Sequence, residues 1–172
     1  MPRRTTPSQL TLRPMRMADL SSVVELDRIS FPTPWPKDAF AYELTRNRNS
    51  VCWVAEGLND LNVAILIGSI VIWLEKPFAH IGTLAINPEY RERGIGQRLL
   101  AEALRVCIQR GAKRAMLEVR AGNKAAQALY HKFGFMVRGL KEAYYKDTQE
   151  DALIMVLDPL DHDRLDEIID RG

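Results

Sequence analysis

The stretch Thr83–Leu100, TLAINPEYRERGIGQRLL, constrains the fold more than any other part of the chain. An apolar run that reads as a strand ends at Ile86. Asn87-Pro88 stops it, because proline has no N–H for a ladder and biases the residue before it away from helix. A basic, glycine-bearing loop, Arg91-Glu92-Arg93-Gly94-Ile95-Gly96, then opens directly into a long helical pattern. The glycines let backbone amides approach a ligand, and the first helical turn adds unpaired N–H groups and partial positive charge. Such a loop is an anion seat suited to a pyrophosphate, unless it is only an ordinary basic strand-to-helix connection. Two commoner phosphate loops fit poorly. A dinucleotide fingerprint needs a third glycine where Leu99 stands, and a P-loop needs Gly-Lys-Ser/Thr where Gly96-Gln97-Arg98 stands.

Composition narrows the class. A chain of 172 residues with 47% hydrophobic and 27% charged residues is expected to form one globular domain with a proper core. A net charge of +2 is too small to argue for nucleic-acid binding by bulk electrostatics. Cys52 and Cys107 lie in apolar contexts without metal or disulfide spacing, so both read as buried free thiols of a reducing compartment. The basic start, MPRRTTPSQL, is not followed by an apolar signal region, and no run approaches membrane-spanning length. A soluble cytoplasmic protein, with no membrane partner and no metal, is the expectation.

In chain order, residues 1–8 read as a disordered lead-in, 9–158 as a single domain, and 159–172 as a tail with a short amphipathic helix. Leu10–Arg13 is a short strand ended by Pro14. Asp19 reads as the N-cap of a helix with Leu20, Val23, Val24 and Ile29 on its apolar stripe. Three prolines in Phe31-Pro32-Thr33-Pro34-Trp35-Pro36 forbid regular structure, while Phe31 and Trp35 are too apolar for a casual loop. That loop is either pinned to the core by its aromatics or one wall of a substrate groove. A second helix covers about residues 37–46. Strands follow at about 51–56, 63–74 and 78–86, with short connections that favour an antiparallel meander.

The helix after the loop spans about residues 94–110, with Ile95, Leu99, Leu100, Leu104, Cys107 and Ile108 as its buried stripe. Residues 113–120 form the next strand, parallel to the 78–86 strand because a helix connects them. Asn123 caps a short helix carrying Ala126, Leu129, Tyr130 and Phe133, and Gly134 ends it. Residues 135–146 and 151–157 close as a hairpin. The whole is a mixed α/β (α+β) domain whose sheet switches direction at the fourth and fifth strands, opening a crevice for a ligand.

Glu118 is the most informative acid, because it interrupts the apolar strand Ala115-Met116-Leu117-Glu118-Val119. It is either neutralised by Arg120 or Lys113, or it sits near the crevice with a raised pKa and serves as a general base. Tyr130 reads as a core aromatic with a satisfied hydroxyl, and Asn123 as an N-cap. Tyr144-Tyr145 would place one ring on each face of a strand, one in the core and one reaching a groove. His80, His131 and His162 share no ligand or triad spacing, and no chemistry is assigned to them.

Together, Arg91-x-x-Gly94-x-Gly96, Glu118-Val119-Arg120, Asn123, Ala128-Leu129-Tyr130, Gly134-Phe135, Tyr144-Tyr145 and Glu150-Asp151-Ala152 make a resemblance specific. Over about residues 10–158 the chain resembles the GNAT superfamily of N-acetyltransferases. Within it, the protein N-terminal acetyltransferase branch is most similar, above all the bacterial type that acetylates a ribosomal-protein alanine. Phe31-Pro32 and Trp35 match that type's first-helix loop.

The resemblance implies a mostly antiparallel sheet of six to seven strands with helices on both faces, parallel and splayed at the fourth and fifth strands. Acetyl-CoA would be the co-substrate. Leu84, Ala85 and Ile86 would hold its pantetheine arm. Arg91, Glu92, Arg93, Gly94, Ile95, Gly96 and Gln97 would seat its pyrophosphate, and Asn123 would contact it. Glu118 would be the general base and Tyr130 the general acid, with Phe31, Pro32, Trp35, Tyr144 and Tyr145 lining the groove for a protein N-terminus. The enzyme would be a monomer or weak dimer. The alternatives are other protein N-termini, a small-molecule amine, or a non-catalytic CoA-binding regulatory domain.

Overall fold

Seven strands and five α-helices make up the computed structural model, which describes residues 9–170. The expected lead-in, residues 1–8, lies outside the described residues. The strands are β1 (Leu10–Pro14), β2 (Ser50–Leu58), β3 (Ala64–Glu75), β4 (Phe78–Ile86), β5 (Arg114–Arg120), β6 (Met136–Tyr145) and β7 (Glu150–Leu157). The helices are α1 (Leu20–Ser30), α2 (Ala39–Thr45), α3 (Ile95–Gln109), α4 (Lys124–Phe133) and α5 (His162–Asp170). Hydrogen-bonded neighbours run β1-β2-β3-β4-β5-β7-β6, a mixed α/β sheet that is mostly antiparallel and parallel between β4 and β5. The chain forms two compact units, one from residues up to Val71 with Thr83–Ala103, the other from Ile72–Gly82 with the residues from Leu104 onward.

In the first unit β1 pairs antiparallel with β2, from Leu10↔Gly57 to Pro14↔Trp53. Val23, Leu26, Phe40, Val54, Ile67 and Leu99 are among its fully buried side chains. On α1 the buried stripe is Val23, Leu26 and Asp27, while Ile29 is 42% exposed and so falls off the stripe expected for it. The cause is helical geometry: Ile29 lies six residues past Val23, about 240° around the axis. Asp19 is the N-cap residue of α1, but its carboxylate makes no cap bond to that helix. Arg13 takes both its oxygens, at 2.8 and 2.9 Å, and the Arg16 N–H donates to Oδ2 at 2.7 Å. An ion pair won over the cap.

In the second unit, β4 runs parallel to β5 over four residues, Phe78–Ile81 against Arg114–Leu117. β5 then pairs antiparallel with β7 from Ala115↔Leu157 to Arg120↔Ala152. β7 closes back on β6, so the hairpin inserts its second strand between β5 and β6. Leu117, Phe133, Phe135, Met155, Leu157 and Leu165 are buried around this arrangement. Leu165 anchors the amphipathic α5 of the tail, and Asp166 of that helix pairs with Arg105 on α3.

Candidate active site

The parallel register stops at Ile81↔Leu117, so Glu118 is the first β5 residue beyond it. Paired residues of neighbouring strands share a face, and the face repeats every second residue. His80 pairs with Met116, which puts His80 and Glu118 on one face of the sheet. Their side chains meet: His80 Nε2 lies 2.7 Å from Glu118 Oε2. On the far side Lys141 Nζ donates to Glu118 Oε1 at 2.8 Å. Lys141 stands opposite Ala152 on β7, and that small residue lets the long lysine arm pass toward β5.

These contacts correct both expectations for Glu118. Its partners are His80 and Lys141, not Arg120 or Lys113, because the register brings β4 and β6 to it. Its pKa falls instead of rising. The His80 hydrogen bond, opposed by burial and joined by the Lys141 bond, takes the carboxyl down to about 2. His80 responds in the opposite sense: the Glu118 hydrogen bond raises it above its ordinary 6.5 against the pull of burial. Its other nitrogen, Nδ1, lies 3.7 Å from Glu75, and its ring meets the edge of Trp73 at 5.4 Å. Gly82 makes room for that indole, since a Cβ there would come within 2.8 Å of Trp73.

Arg120, two residues on, is committed elsewhere. Its guanidinium pairs with Asp147 at 2.9 Å, reaches Glu150 at 3.4 Å and lies over the Tyr145 ring at 3.9 Å. Tyr144 and Tyr145 do not take opposite faces. Their rings meet edge to face at 5.2 Å, because β6 shifts register between Lys141 and Tyr145 and Ala143 adopts φ 47°. Lys141 Nζ lies 4.9 Å from the Tyr144 ring centre, so Lys141 joins the tyrosine pair to Glu118. Burial pushes Tyr145 up to about 12.

Tyr130 is placed by the way α4 begins and ends. Asn123 caps it by accepting the Ala126 N–H at 3.1 Å, and buried Gln127 donates to the carbonyls of Arg120 and Ala121 at 3.0 and 2.9 Å. Gln127 thus ties α4 to the end of β5. Gly134, at φ 88°, turns the chain so that Phe135 packs edge-on against Tyr130 at 5.6 Å. Burial keeps the Tyr130 phenol well above its ordinary pKa, hence protonated at neutral pH.

In the first unit, the Asn87 N–H donates to Ile67 O at 2.8 Å, and the Asn87 side chain accepts from Glu89 N at 3.0 Å. Arg91 Nε donates to Ile86 O at 3.1 Å, and Arg93 donates to Glu89 O at 2.8 Å while lying over Tyr90. Glu92 and Gly94 take φ 61° and 72°, and a Cβ on Gly94 would meet nothing within 4 Å. The loop therefore leaves open space at the start of α3, as a phosphate seat requires. Leu84–Ile86 lie at the end of β4, with Ala85 buried.

The proline loop is held by Asp27, whose Oδ2 accepts the Trp35 N–H at 2.7 Å, and Trp35 stacks on Phe40 at 5.1 Å. Asp27 is itself buried, and burial raises its pKa. Phe31, Pro32 and Trp35 thus belong to the first unit, Tyr144 and Tyr145 to the second. Nothing in the residue pattern points to Lys141 or Gln127, and for His80 the one available hint is the parallel adjacency of β4 and β5.

Residues 20–135 match the Acetyltransferase (GNAT) family. A putative [ribosomal protein bS18]-alanine N-acetyltransferase of Bacillus subtilis is 40% identical over 148 residues, covering 86% of this chain and 95% of that one. The N-alpha-acetyltransferase RimI of Mycobacterium tuberculosis is 35% identical over 149 residues, 85% of this chain and 90% of its own length. Among solved structures, the ribosomal-protein-S18-alanine N-acetyltransferase of Escherichia coli superposes with a TM-score of 0.76 at 26% identity, covering 88% of this chain and 94% of that one.

Proposed function

This chain belongs to the GNAT acetyltransferase family and is an N-acetyltransferase, and from that premise we propose that it acetylates the N-terminal alanine of a small-subunit ribosomal protein in the cytoplasm. Acetyl-CoA, the family's donor, supplies the activated acetyl group. Arg91–Gln97 and the first turn of α3 would hold its pyrophosphate, Leu84–Ile86 its pantetheine arm, and Asn123 would border it. The open space at Gly94 supports this fit, since no side chain or backbone atom crowds the glycine where an anion would sit.

One observation carries the reading: a carboxylate kept charged at the point where the parallel strands part. An α-amine has a pKa of about 7.7–8.0, so it arrives mostly as ammonium and only its free form attacks. Glu118 attracts and orients the ammonium and takes part in removing its proton. Backbone N–H groups of β4 stabilise the oxyanion of the tetrahedral intermediate. Tyr130, protonated, donates to the departing sulfur. Phe31, Pro32 and Trp35, and on the other unit Tyr144 and Tyr145, would each meet the first residues of the peptide.

The names of the two bacterial relatives, a putative ribosomal-protein-alanine N-acetyltransferase and an N-alpha-acetyltransferase, favour an α-amine over a small-molecule amine. A panel of peptides starting with Ala, Ser, Met or Gly, plus an N-blocked peptide containing lysine, tests the assignment with acetyl-CoA as donor. The Ala peptide is expected to give the highest kcat/KM. Turnover of only the blocked lysine peptide would overturn the reading.

A further inference from the structure

Glu118 is a poor resting place for a proton, because its hydrogen bonds to His80 and Lys141 hold its carboxyl far below an α-ammonium, so the proton would stay with the amine. A neutral imidazole changes that balance: against an ordinary His value of 6.5 the preference is only about thirtyfold, and any upward shift narrows it. The His80 imidazole stands in hydrogen-bond contact with the carboxylate and is mostly shielded from water.

We propose that His80 is the proton-holding partner of Glu118, so that the proton shed by the substrate amine comes to rest on His80 across their 2.7 Å contact. This rests on the acetyl-transfer reading above. Of the three charged groups facing the imidazole, two favour its protonated form. Glu118 on β5 and Glu75 at the end of β3 both favour the imidazolium. Lys141 on β6 opposes it, and by occupying Oε1 it holds Glu118 in one orientation with Oε2 toward His80. The Trp73 edge and the absent side chain of Gly82 fix the ring.

The ammonium gives one proton to the pair, and the nitrogen lone pair forms the N–C bond to the thioester carbonyl. The C–S bond breaks with its electrons passing to sulfur, and the second amine proton is matched by the one the thiolate takes up. The proton on His80 then leaves to solvent, the single proton the overall reaction releases. Lys141 and Glu118 recover their starting states.

His80→Gln tests the role, because glutamine can still hydrogen-bond Glu118 but cannot hold a proton. With an Ala-starting peptide, the variant is expected to lower kcat by about 10- to 100-fold. The peptide KM should move less than about threefold. The kcat–pH profile should lose the limb that rises as His80 deprotonates. A variant with kcat within about twofold of wild type and the same limb would overturn the proposal.

NMR titration of the His80 ring in wild type and in Glu118→Gln gives a readout without turnover, should His80→Gln fail to fold. His80 should titrate above 6.5 in wild type and lower in the variant; identical titrations would also overturn it. Wild-type protein that acetylates no α-amine would instead bring down the acetyl-transfer reading, and the role of His80 with it.

Discussion

Glu118→Gln should destabilise the protein in a pH-dependent way, and the contacts of that carboxylate set the size. Moving a carboxyl from its ordinary 4.5 to about 2 corresponds to roughly 3 kcal/mol of preference for the charged form. His80 is the larger cause and lies mostly out of water, but the Lys141 side chain is 41% exposed and its share is screened. About 2 kcal/mol is the resulting expectation. Because Glu118 is lowered, its contribution is present above pH 4.5 and is lost as pH falls toward about 2. Because His80 is raised, its contribution is full below pH 6.5 and is lost as pH rises through its folded value.

One contact underlies both effects, so it acts at full strength between about pH 4.5 and 6.5. Urea unfolding followed by tryptophan fluorescence, at about pH 5.5 and 9, measures this directly. Glu118→Gln should cost about 2 kcal/mol at the lower pH and less than about 1 at the higher, where only the Lys141 share remains. Equal losses at the two pH values would refute the pairing.

Three further outcomes follow from single sites. Gly94→Ala should cost about 1 kcal/mol, from the φ of 72° and not from a clash, and should weaken acetyl-CoA binding measured by calorimetry. Asp27→Ala removes the acceptor of the Trp35 N–H; it should raise the peptide KM several-fold while leaving acetyl-CoA affinity unchanged. Burial holds the thiols of Cys52 and Cys107 near 12, so neither should react with a disulfide reagent at pH 8 until denaturant is added.

Much of this fold is legible in the residues. Phe78–Ile86 is bounded by Pro77 and by Asn87-Pro88, and the strand observed has those limits. The stripe of α3 and the Gly134 stop of α4 follow from helical period and from the left-handed turn that glycine permits. The parallel neighbours and the last hairpin were legible, but their register was not. His80 and Glu118 are 38 positions apart and meet only because β4 and β5 run parallel in one particular register. Lys141 reaches Glu118 from β6 across the intervening β7, where it stands opposite Ala152. The tyrosine pair was misjudged because an irregularity near Ala143 breaks the alternation on which two-face reasoning depends. Asp27 carries no signal in the residue pattern, because its partner is a backbone N–H eight residues on in the proline loop.

The central claim is that the acetyl group goes to the α-amine of an N-terminal alanine. Fragment-ion mass spectrometry of a small-subunit ribosomal protein, bearing a free N-terminal alanine and its own lysines, locates the acetyl group after incubation with this enzyme and acetyl-CoA. Acetylation is expected at the alanine nitrogen, with the lysines unmodified. Acetyl groups on the lysines with the alanine left free would contradict it.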